Sequence, residues 1–547
     1  MEDTIIYRAR RIRTMNPAQP AATHVAVRDG RILGAGSLEA LQGWGAYRLD
    51  ERFADRILLP GFVEGHSHLM EGALWRFVHV GFHDRVDPDG RVWPGARSID
   101  AVVERLAQQA AKLPDPRQPL VGWGFDPIYF GGGRCDRHVL DRISPTRPVA
   151  IVHASLHIIN ANTAALAAAG YLREGIAHPG LPLAADGLPT GECKGPDAMA
   201  PVAAEVGMDR GLLAADTEAL RAFSRLCVRK GVTTATDLAA PLTPESVAGM
   251  LQVTGEPGFP TRIVALLRQL AQTPQQLIDR ALALRDQGTE RLRLGKVKLV
   301  ADGSIQGFSA RLRWPGYYNG LPNGLWYTAP EQVCEILALA LANGVQVHTH
   351  TNGDEATDMV LDAMSGALAR HPIPDHRFTL QHCQLADAAQ FRRIRELGMC
   401  VNLFANHTFY WGDAHYEQTV GPERAERMNA CATAIAEGVP FAIHSDAPVT
   451  PLGPLFTAWC AVNRRTSGGR ILGAQQRIAV ADALRAVTLG AAYTLGLDGE
   501  IGSIETGKRA DFAVLDADPF DAAPEALADI GIWGVVANGR PVAADTV

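Results

Sequence analysis

The sequence predicts an α/β protein that consists of a (β/α)8 TIM-like barrel, a small β-sandwich domain built from both termini, and a large insertion after the first barrel strand. Three observations predict this architecture. Both ends of the chain are rich in short β-like runs, the middle contains eight further apolar β-like runs, and helical patterns separate most of those eight. Because strands that alternate with helices of about 10–15 residues form parallel βα units, eight such units indicate a barrel.

The two termini are predicted to form one composite β domain from residues 1–59 and 500–547. Each end carries a two-residue turn signal, Asp29-Gly30 near the start and Asn538-Gly539 near the end. Such pairs are typical of tight β-hairpins. Two β-rich ends around a long middle therefore favour a single β unit assembled from both.

Residues 60–499 are predicted to form the barrel together with its insertion. The eight runs are Ile57 to His68, Val232 to Leu238, Thr261 to Leu267, Lys296 to Asp302, Val345 to His350, Phe378 to His382, Met399 to Phe404 and Pro440 to Asp446. Proline opens two of the helical patterns, 274–287 and 330–343, as is typical of helix N-termini. Residues 69–230 are too long for a simple crossover, so we predict that they form an insertion over the barrel mouth.

The composition indicates an ordinary globular chain. Of 547 residues, 47% are hydrophobic and 20% are charged, which excludes a disordered or collagen-like protein. The net charge of −7 lacks the basic excess of a nucleic-acid-binding protein. No apolar run reaches the ~18 residues of a membrane helix, and the N-terminal residues lack the apolar core of a signal peptide. With eight scattered cysteines and no Cys-x-x-Cys pair, these features favour a cytoplasmic protein with reduced thiols.

Metal-binding residue types recur where the predicted barrel strands end. His66 and His68 end the first run, His350 the fifth, His382 the sixth and Asp446 the eighth. An isolated His-x-His pair carries little weight, since a second one occurs at 348–350. The carboxyl ends of barrel strands, however, meet at the face where barrel active sites lie. Because imidazole and carboxylate bind divalent transition metals, the pattern predicts a metal site.

Lys298 lies inside the fourth run, where a charged lysine in a barrel core is costly unless it is neutralised. The residues alone leave two interpretations open. In the first, Lys298 and Lys296, which share a strand face, point outward toward helix carboxylates. In the second, Lys298 points inward and reacts with carbon dioxide, and the anionic carbamate bridges two cations.

Several segments of the chain resemble the amidohydrolase superfamily. LPGFVEGHSH at 59–68 resembles its first-strand signature, and TLGLDGEIGSIETGKRADF at 494–512 is similar to the segment by which the barrel re-enters the β domain. Four more segments resemble the amidohydrolase family 3 branch, which includes N-substituted formamide deformylases and related amide hydrolases: VKLVADGS at 297–304, HTNGDEA at 350–356, LQHCQL at 380–385 and HSDAPV at 444–449. The resemblance covers nearly the whole chain.

The resemblance implies a metal centre with one or two divalent ions, of which zinc suits the ligands best and manganese or iron could occupy the same set. The implied ligands are His66 and His68 on one metal, carboxylated Lys298 as a bridge, His350 and His382 on the second metal, and Asp446 on the first. Asp446 is also expected to transfer protons.

A further segment, LHIINANTAAL at 156–166, resembles a family segment and makes His157 a candidate catalytic residue that contacts the substrate. Residues placed near the predicted mouth are candidate substrate contacts: Trp75, Trp123, Asp302, Trp314, Phe409 and Trp411. Aromatic residues of this kind either line an apolar pocket or pack the loops, and the sequence leaves both open.

Together these features indicate a hydrolase of a non-peptide carbon–nitrogen bond in an amide or N-acyl compound with an aromatic or bulky apolar group. Metal-activated hydroxide would attack the carbonyl, and Asp446 would pass the proton to the leaving nitrogen. Two other functions remain open: an ester, lactone or cyclic-amide hydrolase with the same site, and a ligand-binding barrel without turnover. The complete set of predicted ligands argues against the latter. The expected partner is a small molecule, not nucleic acid or a membrane, and the candidate assembly is a homodimer.

Overall fold

The computed structural model describes residues 4–208, 216–270 and 272–547, so residues 209–215 of the predicted insertion lie outside the described residues. The strands in chain order are β1 (Thr4–Arg13), β2 (Ala21–Arg28), β3 (Arg31–Gly36), β4 (Tyr47–Pro60), β5 (Phe62–Glu64), β6 (Val78–His79), β7 (Arg85–Val86), β8 (Val92–Trp93), β9 (Leu120–Phe125), β10 (Val149–His153), β11 (Ile158–Ala161), β12 (Glu192–Lys194), β13 (Val232–Ala240), β14 (Arg262–Arg268), β15 (Leu292–Val300), β16 (Val347–Thr351), β17 (Thr379–His382), β18 (Cys400–Leu403), β19 (Phe441–Ile443), β20 (Phe512–Leu515), β21 (Ile532–Ala537) and β22 (Arg540–Ala543).

The described α-helices cover Leu38–Leu41, Glu71–Leu74, Ile99–Ala110, Arg137–Asp141, Thr163–Ala168, Pro196–Glu205, Thr217–Arg229, Pro244–Thr254, Pro274–Arg285, Pro330–Ala342, Asp354–Arg370, Ala388–Glu396, Asn406–Ala414, Gly421–Arg427, Cys431–Ala436, Pro454–Asn463, Val480–Ala486 and Leu489–Thr494. Within the described ranges, no helix combines the length and the apolar content that crossing a membrane requires.

Both termini contribute strands to one seven-stranded sheet with the order β22-β21-β20-β4-β1-β2-β3. Its central strand β4 is parallel to β1 and antiparallel to β20. Asp29-Gly30 joins β2 to β3, and Asn538-Gly539 joins β21 to β22, with positive φ at all four residues. This is the geometry of type I′ turns, so both predicted hairpin turns are confirmed. The predicted sandwich arrangement of this sheet stays a prediction.

Eight parallel strands form a second large sheet with the order β5-β13-β14-β15-β16-β17-β18-β19. A bridge between Ser67 and Ala447 connects the ends of its first and last strands, and the backbone N–H of His68 donates to the carbonyl of Ala447 at 2.8 Å. The sheet therefore curls round as a TIM-like barrel, as predicted. Each of the eight predicted runs overlaps one of these strands.

The first predicted run consists of two strands rather than one. β4 ends at Pro60 in the terminal sheet, and β5 begins at Phe62 in the barrel. Gly61, at the crossing, lies so close to Thr233 that an added Cβ would stand 2.0 Å from the Thr233 hydroxyl oxygen. Because only glycine tolerates such an approach, this position lets the chain pass from one sheet to the other.

Apolar side chains fill the amino-terminal end of the barrel. Val63, Val264 and Leu266 pack in one buried cluster with Ala491 and Leu495, which lie at the C-terminal helix Leu489–Thr494. The predicted metal-binding side chains lie at the opposite, carboxyl end of the strands.

The segment between the first two barrel strands builds a five-stranded sheet of its own, β12-β11-β10-β9-β6. Its side chains reach the segments that follow the last two barrel strands. Tyr129 donates to the carbonyl of Tyr410 at 2.7 Å, and Arg85 donates to the carbonyl of Pro448. The insertion thus contacts the end of the barrel that carries the predicted site.

Candidate metal centre

Five predicted ligands lie at the carboxyl ends of barrel strands. His66 and His68 follow β5, His350 lies in β16, His382 ends β17, and Asp446 follows β19. Four of these side chains are buried and His68 is partly exposed. Because parallel strands direct their ends to one face of the barrel, residues far apart in the sequence share a small volume here.

Asp446 is the carboxylate at the centre of this group. Its Oδ1 lies 3.2 Å from His68 Nε2 and 3.4 Å from His66 Nε2. Its Oδ2 lies 3.9 Å from His382 Nδ1. One carboxylate therefore faces imidazole nitrogens from two separate strand ends, β5 and β17.

His350 and Lys298 are the remaining predicted ligands. The rings of His350 and His382 lie 4.4 Å apart, and those of His66 and His382 lie 4.6 Å apart. Lys298 is 2% exposed, and its strand neighbours Val297 and Leu299 pack in the cluster outside the barrel, so alternation along β15 turns Lys298 to the interior. Lys298 therefore points inward among the histidines, and the interpretation that it points outward is wrong.

Burial controls the charge of this cluster. It holds the pKa of His66, His350 and His382 well below the usual range of histidine, and neighbouring cationic groups lower them further. Burial also lowers the pKa of Lys298 to about 7, although attraction to Asp446 opposes the shift. Neutral imidazoles keep the lone pair that metal binding needs.

The donors present fit a transition-metal ion. Among the described residues, two sets of three side chains place ligand atoms within 4.8 Å of one another: His66, His68 and Asp446, and His66, His382 and His444. Several buried atoms here have no hydrogen-bond partner in the part of the chain that the structure describes: Lys298 Nζ, His382 Nδ1, Asp446 Oδ1 and both ring nitrogens of His444. Buried polar atoms normally have partners, and a cation held by this set would supply one.

His444 belongs to the cluster although the sequence analysis did not assign it a role. Its ring stacks on His66 at 4.7 Å with an interplanar angle of 27°, and lies 5.0 Å from His382. The signal that could have found it is its position two residues before Asp446, because alternate residues along an extended chain share one face.

A hydrogen-bonded layer behind the ligands fixes the orientation of His66. Gln381 Oε1 accepts from His66 Nδ1 at 2.8 Å and from Asn402 Nδ2 at 3.0 Å, while Gln381 Nε2 donates to His348 Nδ1 at 2.7 Å. Since an amide oxygen only accepts, the proton of His66 resides on Nδ1. The lone pair of Nε2 then faces Asp446.

Two of the strand-end residues have an uncommon backbone conformation. Asp446 has φ +53° and His382 has φ +68°, and neither is a glycine. Side-chain-bearing residues rarely adopt this left-handed region, and such strain concentrates at functional sites. This conformation turns the side chains of His382 and Asp446 away from the direction that a regular strand would give them.

Asp302 and His157 lie beside the cluster. Asp302 is fully buried and accepts the backbone N–H groups of Asn352, Gly353 and Arg311 at 2.8–3.0 Å, and its Oδ1 lies 3.6 Å from His350 Nε2. Asp302 thereby organises the loops that follow β15 and β16. The charge of His157, on the insertion, acts on His350. The predicted substrate roles of both residues stay predictions.

The predicted aromatic contacts occupy different surroundings. Trp75 and Trp123 pack against each other in the insertion with ring centroids 5.1 Å apart. Trp411 stacks on His407 at 4.4 Å. Phe409 packs against the helix Pro454–Asn463, and Trp314 is 93% exposed. Whether any of them contacts a substrate stays a prediction.

Comparisons with known proteins agree with this arrangement. A sequence profile of the Amidohydrolase family matches residues 54–543. The protein LONG AFTER FAR-RED 3 of Arabidopsis thaliana is 28% identical over 522 residues, which cover 93% of this chain and 86% of that protein. N-substituted formamide deformylase of Arthrobacter pascens is 26% identical over 564 residues, covering 98% of both.

A similar fold occurs in the crystal structure of an uncharacterized metal-dependent hydrolase from Pyrococcus horikoshii OT3. The two chains superpose with a TM-score of 0.73 at 21% identity, and the match covers 95% of this chain and 99% of that chain. The likeness extends over the barrel, the insertion and the terminal sheet together.

We expect Gln381→Leu to weaken zinc binding by about 10- to 100-fold, the usual effect of removing a group that orients a ligand. The substitution removes the acceptor that holds the proton of His66 on Nδ1. A competition titration with a zinc chelator measures the change. As a control, Gln476→Leu replaces a buried glutamine that bonds Thr433, and this variant should bind zinc as the wild type does. Equal zinc affinity in all three proteins would contradict the role of Gln381.

Proposed function

Because this chain belongs to the amidohydrolase family, we propose that it is a metal-dependent hydrolase. The bond that it cleaves would be a non-peptide carbon–nitrogen bond in an amide or N-acyl compound. The observation that carries the proposal is the convergence of His66, His68, His350, His382, Lys298 and Asp446 at one end of the barrel, with buried donor atoms left unpaired. The similarity to an N-substituted formamide deformylase along 98% of the chain supports the same reaction class.

In this proposal the ligands divide between two ions. His66, His68 and Asp446 would hold one zinc ion, and His350 and His382 would hold a second. A divalent cation in such a site lowers the pKa of a water molecule that it binds toward ~7, so that a nucleophile exists at neutral pH. Zinc suits the donor set of imidazole and carboxylate.

Lys298 is proposed to carry a carbamate, and this anion would help to hold both ions. Its ammonium group is buried among the histidines with no hydrogen-bond partner in the described chain, and a neutral amine is favoured there because burial lowers its pKa. The neutral amine attacks carbon dioxide, a nitrogen–carbon bond forms, and one proton leaves. The product is an anion, which compensates the charge of two cations.

Asp446 is proposed to move the proton during hydrolysis. Its Oδ1 lies within 3.4 Å of both first-strand histidines, so the carboxylate lies beside residues that would hold an ion and its activated water. It would accept a proton from that water and deliver it to the leaving nitrogen. His157, beside His350, would stabilise the negative charge that develops on the carbonyl oxygen.

We expect Asp446→Asn to fold and to retain much of its zinc, yet to lower turnover by about 10²–10⁴-fold, the usual contribution of general acid–base catalysis. The amide keeps the shape of the carboxylate but cannot accept the proton. Steady-state kinetics together with metal analysis by mass spectrometry measure both quantities. Asp518→Asn, a buried aspartate of the β domain, is the matched control. Near-normal turnover in Asp446→Asn would contradict the proposed proton transfer.

Lys298→Ala is expected to lose bound zinc and activity, because the bridging anion can no longer form. Formate or propionate added with zinc should partly restore both, since a small carboxylate can occupy the vacated space. Lys296→Ala is the matched control: its side chain binds Gln346 and lies two residues away on the same strand. Full zinc content in Lys298→Ala, measured after dialysis, would exclude the bridging role.

The substrate is proposed to carry an aromatic or bulky apolar group. N-formyl-2-phenylethylamine and N-formylethylamine differ only by the ring, and burial of a ring of about 150–250 Å² should raise kcat/KM by about 10²-fold for the first. Equal or higher kcat/KM for the smaller amide would show that the aromatic residues only pack the loops. Hydrolysis of phenethyl formate without hydrolysis of either amide would instead indicate an esterase.

A further inference from the structure

Arg268 faces the interior of the barrel at the end that carries the candidate metal centre. It is the last residue of β14. Along this strand, Val264 and Leu266 pack in the interior cluster, while Ile263 and Leu267 pack in the cluster outside the barrel. Because alternate residues of a strand share a face, Arg268 continues the interior row and stands at its carboxyl end.

Arg268 is also a direct neighbour of a proposed metal ligand. β14 pairs with β15 in parallel, and this register sets Arg268 beside Lys298. Besides burial, the nearby positive charge of Arg268 also lowers the pKa of Lys298. Neither β13 nor β14 supplies a proposed ligand, and Arg268 is the one residue of β14 that is not fully buried.

Within the described residues, the guanidinium of Arg268 lacks the carboxylate partner that Arg262 and Arg311 have. Its Nε is buried without a hydrogen-bond partner, and no carboxylate in residues 4–208, 216–270 or 272–547 forms an ion pair with it. By contrast, Arg262 at the other end of β14 pairs with Asp511 at 2.8 Å, and Arg311 pairs with Glu355 at 2.8 Å. An unpaired charge in such surroundings is costly.

We infer that Arg268 is a specificity-determining residue that binds a carboxylate on the substrate, so that the preferred substrates are amides with a second, anionic group. The inference rests on the proposed function. The planar guanidinium matches a carboxylate with two parallel hydrogen bonds. The carboxylate replaces the missing partner of Arg268, while the scissile amide reaches the metal ligands at the ends of the other strands.

Two matched pairs of amides test this inference with the zinc-loaded enzyme. N-formylphenylalanine and N-formyl-2-phenylethylamine differ by a carboxylate on the amine side, and glutaryl anilide and butyryl anilide differ by one on the acyl side. For at least one pair, the wild type should prefer the carboxylate member by about 10²-fold in kcat/KM. Arg268→Met should lower kcat/KM for that member by about 10²-fold and leave the neutral member within about twofold, which is the scale of losing one partner of a desolvated charge pair.

Further measurements distinguish recognition of the substrate carboxylate by Arg268 from a structural role of Arg268 in the metal centre. The zinc content of Arg268→Met should equal that of the wild type. Arg268→Lys should recover part of the preference for the carboxylate member, because lysine restores the positive charge but not the two parallel hydrogen bonds of the guanidinium. Arg291→Met, which removes a half-buried arginine that bonds the carbonyl of Phe259, should keep the full preference. Loss of zinc with equal loss of activity on both members would overturn the inference, because Arg268 would then pair with the carbamate of Lys298.

Failure of the proposed function has a different signature. If none of the four amides is hydrolysed, the hydrolase proposal fails, and calorimetric titration with 3-phenylpropionate still decides the role of Arg268. Binding to the wild type that weakens by about 10²-fold in Arg268→Met supports carboxylate recognition. Equal binding to both proteins, or equal kcat/KM of the wild type within both pairs, overturns it.

Discussion

The burial of a cluster of ionisable side chains at the carboxyl ends of eight parallel strands is the constraint on which the rest of the structure depends. His66, His350, His382 and Lys298 share this volume with Asp446, and burial favours their neutral forms. A set of neutral donors around one carboxylate is unfavourable when empty, since buried polar atoms without partners cost free energy. The same set becomes favourable when a cation binds, because the cation is the missing partner of these atoms. Burial of the donors therefore favours the metal binding that the proposed reaction needs.

The second layer of side chains determines how those donors point. Gln381 holds the proton of His66 on Nδ1. Glu64 accepts the hydroxyl of Ser445 at 2.8 Å and the backbone N–H of His66 at 3.3 Å, and so connects the first and eighth strands. Burial raises the pKa of Glu64 to about 8. Because these contacts cross between strands, the position of each ligand depends on closure of the barrel.

The surroundings of the site differ from one side to the other. On the side of β18, Phe404 stacks on His444 at 4.7 Å, and His407 stacks on Trp411, which forms an aromatic wall. Trp411 in turn donates to Asp126 of the insertion at 3.0 Å. On the side of β14, Arg268 presents a cation beside Lys298. A substrate with an apolar part and an anionic part would match both sides, whereas a small neutral amide would leave both unused.

The sequence by itself determined the strands and the positions of His66, His68, His350, His382 and Asp446, because apolar runs mark buried strands and their ends mark one face of a barrel. It also predicted both hairpin turns from Asp29-Gly30 and Asn538-Gly539. Only the tertiary structure decided which way Lys298 points, that Gln381 orients His66, that His444 joins the cluster, and that Arg268 has no ion-pair partner among the described residues. Gln381 and His66 lie 315 residues apart in the chain. Their contact depends on strand register and barrel closure, which no local pattern encodes.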